Sequence, residues 1–257
     1  MIIKKKLGQN FLINKNIINK MINLLKKSKK NYNCILEIGS GNGCLTKEII
    51  KLKKKNIFIE IDKYFINYIK KKIKNIKNKL LNINILKCNL KKLGYKKYYI
   101  IGNFPYYISS KLILWILKNK KYIVECLGIF QKEFVESLIA INNKKKTRLS
   151  VYIQMYFKIK KILLINNNNF YPKPKVNSIL IKLINKNYKL KKIIKKKKFL
   201  NLIKECFKYK RKIIKNSLLD IIKIKKKMYI LKNKLFKKRA EQLNLKDFIK
   251  IYKLLFK

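Results

Sequence analysis

Residues Ile35-Leu36-Glu37-Ile38-Gly39-Ser40-Gly41-Asn42-Gly43 decide the fold: an apolar run breaks into three alternating glycines, and helix-period apolar residues resume at Leu45. A strand feeding a glycine turn and then a helix is the opening unit of a doubly wound α/β fold, in which glycine lets the backbone approach a ligand closely. A second apolar run, Phe58-Ile59-Glu60-Ile61-Asp62, places an acid about 20 residues further on, the spacing at which such folds set a carboxylate on ribose hydroxyls. Glu60 is therefore the expected ribose ligand.

Working outward, residues 34–38, 57–61, 83–86, 98–101 and 124–130 read as strands, alternating with helical patterns such as 45–52 and 64–76. Strand and helix in alternation predict a mostly parallel sheet. Residues 151–159 and 178–184 predict an antiparallel hairpin at its edge. Beyond about residue 185 the pattern is helical, with Phe199, Leu202, Ile203, Cys206 and Phe207 and then Phe248, Ile251, Tyr252 and Leu255 on helical spacing, and Asn244 with Asp247 as a cap for the last helix. The expected organisation is a Rossmann-like α/β domain over 1–185 and a small all-helical domain over 186–257.

The chain has 257 residues with 68 Lys+Arg against 11 Asp+Glu, a formal net charge of +57, and of its arginines only Arg148, Arg211 and Arg239. Such a surface suits a polyanionic partner, RNA above all. Lys, Ile and Asn are all in excess, the pattern of a coding sequence drifting toward A and T, so lysine runs such as 195–198 and 225–227 do not by themselves assign contacts. There is no histidine, which excludes Ser-His-Asp triads, Cys-His dyads and histidine metal sites. The five cysteines show no Cys-x-x-Cys spacing and read as packing residues of a reduced compartment. No apolar run approaches a membrane span, and Met1-Ile-Ile-Lys-Lys-Lys is not followed by a signal-peptide core, so a cytoplasmic protein without a membrane partner is expected.

The glycines read Gly-x-Gly-x-Gly, not the Gly-x-Gly-x-x-Gly of dinucleotide enzymes. A ligand with one nucleoside and no pyrophosphate fits better. S-adenosylmethionine is that ligand, with its amino-acid end at the turn, its ribose on Glu60 and its adenine beside a polar residue after a third strand, for which Asn89 is the candidate. A complementary tool lies in Tyr98-Tyr-Ile-Ile-Gly-Asn-Phe-Pro-Tyr-Tyr107. There Asn103 offers an amide carbonyl, Pro105 fixes the turn so that a main-chain carbonyl near Phe104 or Pro105 points the same way, and Tyr106 supplies a face for stacking. Such a loop holds an adenine by its exocyclic amine.

These segments resemble the small-subunit ribosomal RNA adenine dimethyltransferase family across nearly the whole chain. The motifs that carry the resemblance are Lys6-Leu-Gly-Gln-Asn-Phe-Leu12, the glycine turn, Glu60-Ile-Asp62, Asn103-Phe-Pro-Tyr106, Gln131-Lys-Glu133, Arg148-Leu-Ser150, Phe170-x-Pro-x-Pro-x-Val176, Lys210-Arg-Lys-Ile-Ile-Lys-Asn-Ser-Leu218 and Arg239-Ala-Glu241. The resemblance implies that Asn10 and Leu12 close over the cofactor, that Gly39 and Gly41 meet its methionine portion, and that Asn103 and Tyr106, with Phe170, hold the target base. It further implies dimethylation of two adjacent adenines near the 3′ end of small-subunit rRNA, by a monomer acting on the immature subunit, with the helical domain binding RNA. The sequence departs from the family at Asn89, where aspartate is usual, and at Ser40 and Phe104, usually proline and leucine. Two alternatives stand beside this reading: the related large-subunit rRNA methyltransferases of macrolide resistance, and a basic assembly factor that keeps the fold without activity.

Overall fold

The computed structural model describes residues 9–74, 76, 79–186, 196–209 and 212–257. Lys6 to Gly8 of the first motif, Lys195 of a lysine run, and Lys210 and Arg211 of the C-terminal motif lie outside the described residues. The elements in order are β1 (Phe11–Leu12), α1 (Lys15–Lys26), β2 (Cys34–Ile38), α2 (Cys44–Ile50), β3 (Asn56–Glu60), α3 (Lys63–Lys72), β4 (Leu80–Asn82), β5 (Tyr98–Asn103), α4 (Ser109–Lys118) and β6 (Ile123–Gln131). There follow α5 (Lys132–Ile139), α6 (Arg148–Tyr156), β7 (Phe157–Ile165), β8 (Phe170–Tyr171), β9 (Ser178–Asn185), α7 (Lys196–Cys206), α8 (Ile214–Ile224) and α9 (Leu245–Phe256).

The chain divides into two compact units, Met1–Val135 with Phe157–Asn185, and Glu136–Tyr156 with Lys186–Lys257. In the first, strands run in the order β4-β3-β2-β5-β6-β9-β7. The pairings from β4 to β6 are parallel, and those of β9 with β6 and with β7 are antiparallel. All of β2 is buried, as befits a central parallel strand covered on both faces. From β2 the chain winds outward to β3 and β4, then returns to lay β5 on the other side of β2. That reversal opens a crevice at the carboxyl ends of β2 and β5.

Two smaller devices set the crevice walls. β1 pairs with β8, Leu12 opposite Phe170 and Phe11 opposite Tyr171, which pins the N-terminal segment beside the glycine turn. A Cβ on Gly41 would stand 2.8 Å from the Phe11 ring. Across the sheet, the Phe104 ring lies in a slot that only glycines leave open: a Cβ on Gly128 would stand 1.9 Å from it and one on Gly102 2.8 Å. Phe104 is accordingly buried and packs on Phe130 with ring centroids 4.9 Å apart. Gly128 sits mid-strand because the ring needs its space.

Two strand expectations need correction. Residues 151–159 alternate apolar and polar, yet Arg148–Tyr156 is helix, and only from Phe157 does the chain extend into β7. Val151 and Met155, one helical turn apart, are buried in the core of the second unit, so packing overrides the period-2 pattern. The helical unit thus takes in 136–156 as well as the segment after 185. Residues 83–86 are not a strand either: β4 ends at Asn82, and Asn84 caps a short 3-10 turn by accepting from Leu86 N–H at 2.9 Å.

Within the second unit, Phe199, Leu202, Ile203 and Cys206 join Phe248, Ile251, Tyr252 and Leu255 in one core. Asn244 and Asp247 form the reciprocal cap of α9, a device each side of which closes an otherwise unpaired N–H. Lys146 is buried in this unit, donates to the Ile141 carbonyl, and is pulled down to about 8 by loss of solvent.

Gly128→Ala is expected to destabilise the fold by about 1–3 kcal/mol through overpacking against Phe104. Adding Phe104→Leu should recover most of the loss, because leucine withdraws the ring atoms from that slot. Thermal unfolding of the single and double variants checks this; a double variant no more stable than Gly128→Ala would show that the slot is not the cause.

Candidate functional site

The crevice is a cavity of about 250 Å³ lined by the ends of β2, β3 and β5, by residues 83–86 just after β4, and by the N-terminal segment. Gly39, Gly41 and Gly43 all have positive φ, 75°, 51° and 80°, so the turn curls in a way that side chains with a Cβ resist. Gly39 N–H donates to Ile59 O at 2.8 Å, and Gly43 N–H to Ser40 O at 2.8 Å. The Glu60 carboxylate then fastens the turn to β3. One oxygen accepts from Gly41 N–H at 2.8 Å, and the other from Ile61 and Asp62 N–H at 2.8 and 2.9 Å. Burial raises the Glu60 carboxyl above its ordinary range, and these three backbone donors oppose the rise.

The Asn103 loop closes the opposite wall. Asn103 Nδ2 donates to the Asn10 carbonyl at 2.6 Å, and since only the amide nitrogen can donate, this contact settles which way the amide faces. Its Oδ1 takes no protein donor among the described residues. Nor does the Phe104 carbonyl, whereas that of Pro105 accepts from Ile108 N–H at 3.2 Å. Tyr106 is anchored through its hydroxyl to Ser178 Oγ, which holds its ring as a fixed wall. Gly39 lies against this loop: a Cβ there would be 3.7 Å from Pro105 Cδ and 3.8 Å from Asn103 O. The glycine turn and the amide loop, 60 or so residues apart in the chain, therefore share one cavity.

Of the residues singled out by sequence, Asn10, Leu12, Gly39, Gly41, Glu60, Asn103, Phe104, Pro105 and Tyr106 all line the crevice. Two expectations are corrected. Asn89 is not on its wall; its Oδ1 caps a 3-10 turn by accepting from Lys91 N–H at 3.0 Å. Asn84, two residues beyond β4, lies on the wall instead, with Ile61 and Ile83 exposed beside it. Phe170 is buried opposite Leu12 in the core and does not reach the crevice. The Phe104 ring points into its glycine slot, so only the backbone of that residue is available to a ligand. Sequence reasoning passed over Phe11, Asn84 and Glu37; for Asn84 the signal was its place as the first polar residue after an Asn-rich strand end.

Charge distinguishes this cavity from the rest of the molecule. Among the described residues that line it, Lys111 is the one cation, and Glu37 and Glu60 are carboxyls. In a chain of net charge +57 this is a local relief of positive charge: burial holds Glu37 protonated, so the Glu60 carboxylate balances Lys111 and a cationic ligand meets no excess of lysine. The residues fit S-adenosylmethionine on that ground: a positive sulfonium at the turn, a ribose at Glu60, and a flat base between Ile61, Ile83 and Asn84. No cluster of metal-ligating side chains occurs among the described residues, and none of their helices is long and apolar enough to cross a membrane.

Residues 2–257 match the ribosomal RNA adenine dimethylases. The chain belongs to this family. It is 34% identical over 261 residues to ribosomal RNA small subunit methyltransferase A of Mycoplasma capricolum, spanning 98% of this chain and 97% of that protein. The same-named protein of Mycoplasmopsis synoviae is 39% identical over 181 residues, 70% of this chain and 69% of its own. Among solved structures, a dimethyladenosine transferase from Plasmodium falciparum superposes with a TM-score of 0.75 at 27% identity, covering 94% of this chain and 95% of the other. The 23S rRNA methyltransferase ErmE superposes at 0.74 with 19% identity over 96% and 100% of the two chains, and so shares the fold. The chain is thus an rRNA adenine dimethyltransferase, and S-adenosylmethionine is its methyl donor.

Glu37 is expected to make the stability of this site depend on pH. It is buried in β2, accepts from the Thr46 hydroxyl at 2.7 Å, and is pushed up to about 8 by burial, with that hydrogen bond opposing and Glu60 adding to the rise. A carboxyl held protonated in the fold stabilises it fully below the ordinary value of 4.5, and the contribution is lost as pH rises to about 8. Glu37→Gln, neutral at every pH, should flatten the decline of Tm between those limits. Melting curves across the range test this; parallel profiles for variant and wild type would show that Glu37 is already ionised in the fold.

Proposed function

We propose that this protein dimethylates the N6 amines of two adjacent adenines near the 3′ end of small-subunit rRNA, acting as a cytoplasmic monomer on the immature subunit. The observation that carries the chemistry is the pair of acceptors left unengaged among the described residues, Asn103 Oδ1 and the Phe104 carbonyl, set against the glycine turn. The small-subunit target is supported by the relatives of that name, which align with most of this chain. The large-subunit alternative has on its side a shared fold at 19% identity. An inactive assembly factor would have no need of an oriented amide and an open carbonyl at the cofactor turn.

When bound, S-adenosylmethionine supplies an electrophilic methyl group on a sulfonium. The residues of this chain do the rest by placement. An adenine amine is a poor nucleophile because its lone pair is delocalised into the ring. Two acceptors that hold its two hydrogens, one on Asn103 and one on Phe104, favour a pyramidal nitrogen whose lone pair faces the turn. Tyr106 fixes the plane of the base, and Pro105 keeps the two carbonyls convergent. Neither acceptor is a base at neutral pH, so the amine proton released on transfer goes to water, and rate comes from proximity and preorganised dipoles. A target adenine has to leave its stack to enter, which selects loops and splayed strands over duplex. For the second transfer the monomethylated amine has one hydrogen left, and one acceptor suffices.

At the other end of the cavity, the single acceptor of Asn84 is already committed to Leu86 N–H. An aspartate there would keep that cap with one oxygen and accept from the cofactor's adenine amine with the other. Asn84→Asp is therefore expected to tighten S-adenosylhomocysteine about fivefold, the equivalent of about 1 kcal/mol for a charge-assisted bond, while Asn89→Asp leaves it unchanged. Calorimetry separates the two, and equal effects at both positions would remove Asn84 from the adenine end.

Asn103→Ala should lower methyl transfer to unmethylated small ribosomal subunits by about 100-fold or more, the scale of removing one preorganised hydrogen-bond partner, with S-adenosylhomocysteine still bound. Turnover within a few-fold of wild type would end the two-acceptor mechanism, and label appearing at other nucleotides would end the small-subunit assignment.

A further inference from the structure

Immediately after the base-holding loop, the chain leaves a large aromatic ring in solvent. Tyr107 is 53% exposed, although its neighbour Tyr106 is anchored to Ser178. Lys111 follows one helical turn later, and both residues line the mouth of the crevice. Leu114, 51% exposed, and then Lys118, also exposed, continue the series. Spacings of three and four place Lys111, Leu114 and Lys118 on one face of α4, and Tyr107 stands in the 3-10 turn just before that helix. The opposite face, Leu112, Ile113, Trp115 and Ile116, is buried, and Trp115 Nε1 donates to Cys88 O at 2.9 Å, which sets the rotation of the helix. α4 contains no acid.

We infer that this face of α4 is the track along which the RNA strand leaves the active site, with the nucleotide next to the target adenine stacked on Tyr107 and its flanking phosphates on Lys111 and Lys118. The inference rests on the base-holding role proposed for Asn103 and Tyr106. A strand that delivers an adenine to that loop must cross the crevice rim, and Tyr107 and Lys111 are the exposed lining residues that follow that loop in the chain. Extruding a base costs its neighbour a stacking partner, and an exposed tyrosine supplies one. Interleaved aromatic, aliphatic and cationic groups without a carboxylate complement a polyanion carrying flat bases. The lysine excess of the chain does not account for the arrangement, because the aromatic ring and the continuity with the cavity are independent of it.

The test uses a fluorescein-labelled single-stranded RNA with two adjacent adenines, bound to the full-length protein over a salt series. Lys111→Gln and Lys118→Gln should each lower the slope of log affinity against log salt by about 0.7, the release expected for one phosphate on a single strand. Tyr107→Ala should weaken binding about tenfold with the slope unchanged, and raise KM for unmethylated small subunits more than it lowers kcat. Lys70→Gln, on the exposed side of α3, should match wild type. Melting temperatures and, for Lys118→Gln, S-adenosylhomocysteine affinity report whether the variants are folded. An equal loss of slope in Lys70→Gln, or wild-type affinity in the Tyr107, Lys111 and Lys118 variants alike, would overturn the track while leaving methyl transfer by the wild type intact. A wild-type protein that neither binds this RNA nor methylates subunits would overturn the reading beneath it as well.

Discussion

The Glu60 carboxylate accepts backbone N–H groups from Gly41 on one oxygen and from Ile61 and Asp62 on the other, and the cofactor end of the molecule depends on that arrangement. Removed from water, a carboxylate is costly unless its lone pairs are used. Here the donors come from the glycine turn and from the start of the next segment, so satisfying the acid and shaping the turn are one event. The three glycine N–H groups of the turn go to Ile59 O, the Glu60 carboxylate and Ser40 O, and Asp62, next in line, caps α3 by accepting from Tyr64 N–H. A short run of chain thus sets the Glu60 carboxylate, the turn and the direction of α3 together.

The other wall is held by shape more than by charge. Phe104 drives its ring between Gly102 and Gly128, and the residues on either side of it, Asn103 and Pro105, are thereby presented to the cavity. Asn103 is then turned by the Asn10 carbonyl, which ties the N-terminal segment to the end of β5. Because β1 pairs with β8, that segment is itself secured from a distant part of the chain. Two backbone contacts and one buried ring orient the amide, and no ionisable group takes part.

Electrostatics divides the protein by depth. Nearly every exposed element carries lysine, yet among the described residues the crevice lining has one cation, Lys111, set against the Glu60 carboxylate and a Glu37 that burial holds protonated. A cationic methyl donor escapes the lysine field inside the crevice and a polyanionic substrate is held by that field at the surface, so the two ligands of a methyltransferase meet different surroundings. Lys111 stands where the two regions join.

Much of this was legible in the sequence. The glycine turn, the acid about 20 residues on, the Asn103-Phe104-Pro105-Tyr106 loop and the cap of α9 are each written in consecutive or closely spaced residues, because backbone conformation and local hydrogen bonding are set over short distances. Contacts between segments were not legible. Asn89 and Asn84 are both asparagines near the end of one strand, and only the completed sheet, in which β4 ends at Asn82, decides that Asn84 faces the cavity while Asn89 caps a turn. Residues 148–156 alternate like a strand and are helical because Val151 and Met155 have a core to enter. Gly128 looks like a flaw in a strand until the Phe104 ring is seen against it. What the sequence by itself determined was the chemistry of each short segment; the tertiary structure alone decided which side chains meet, since burial and approach across strands arise only once distant segments are packed together.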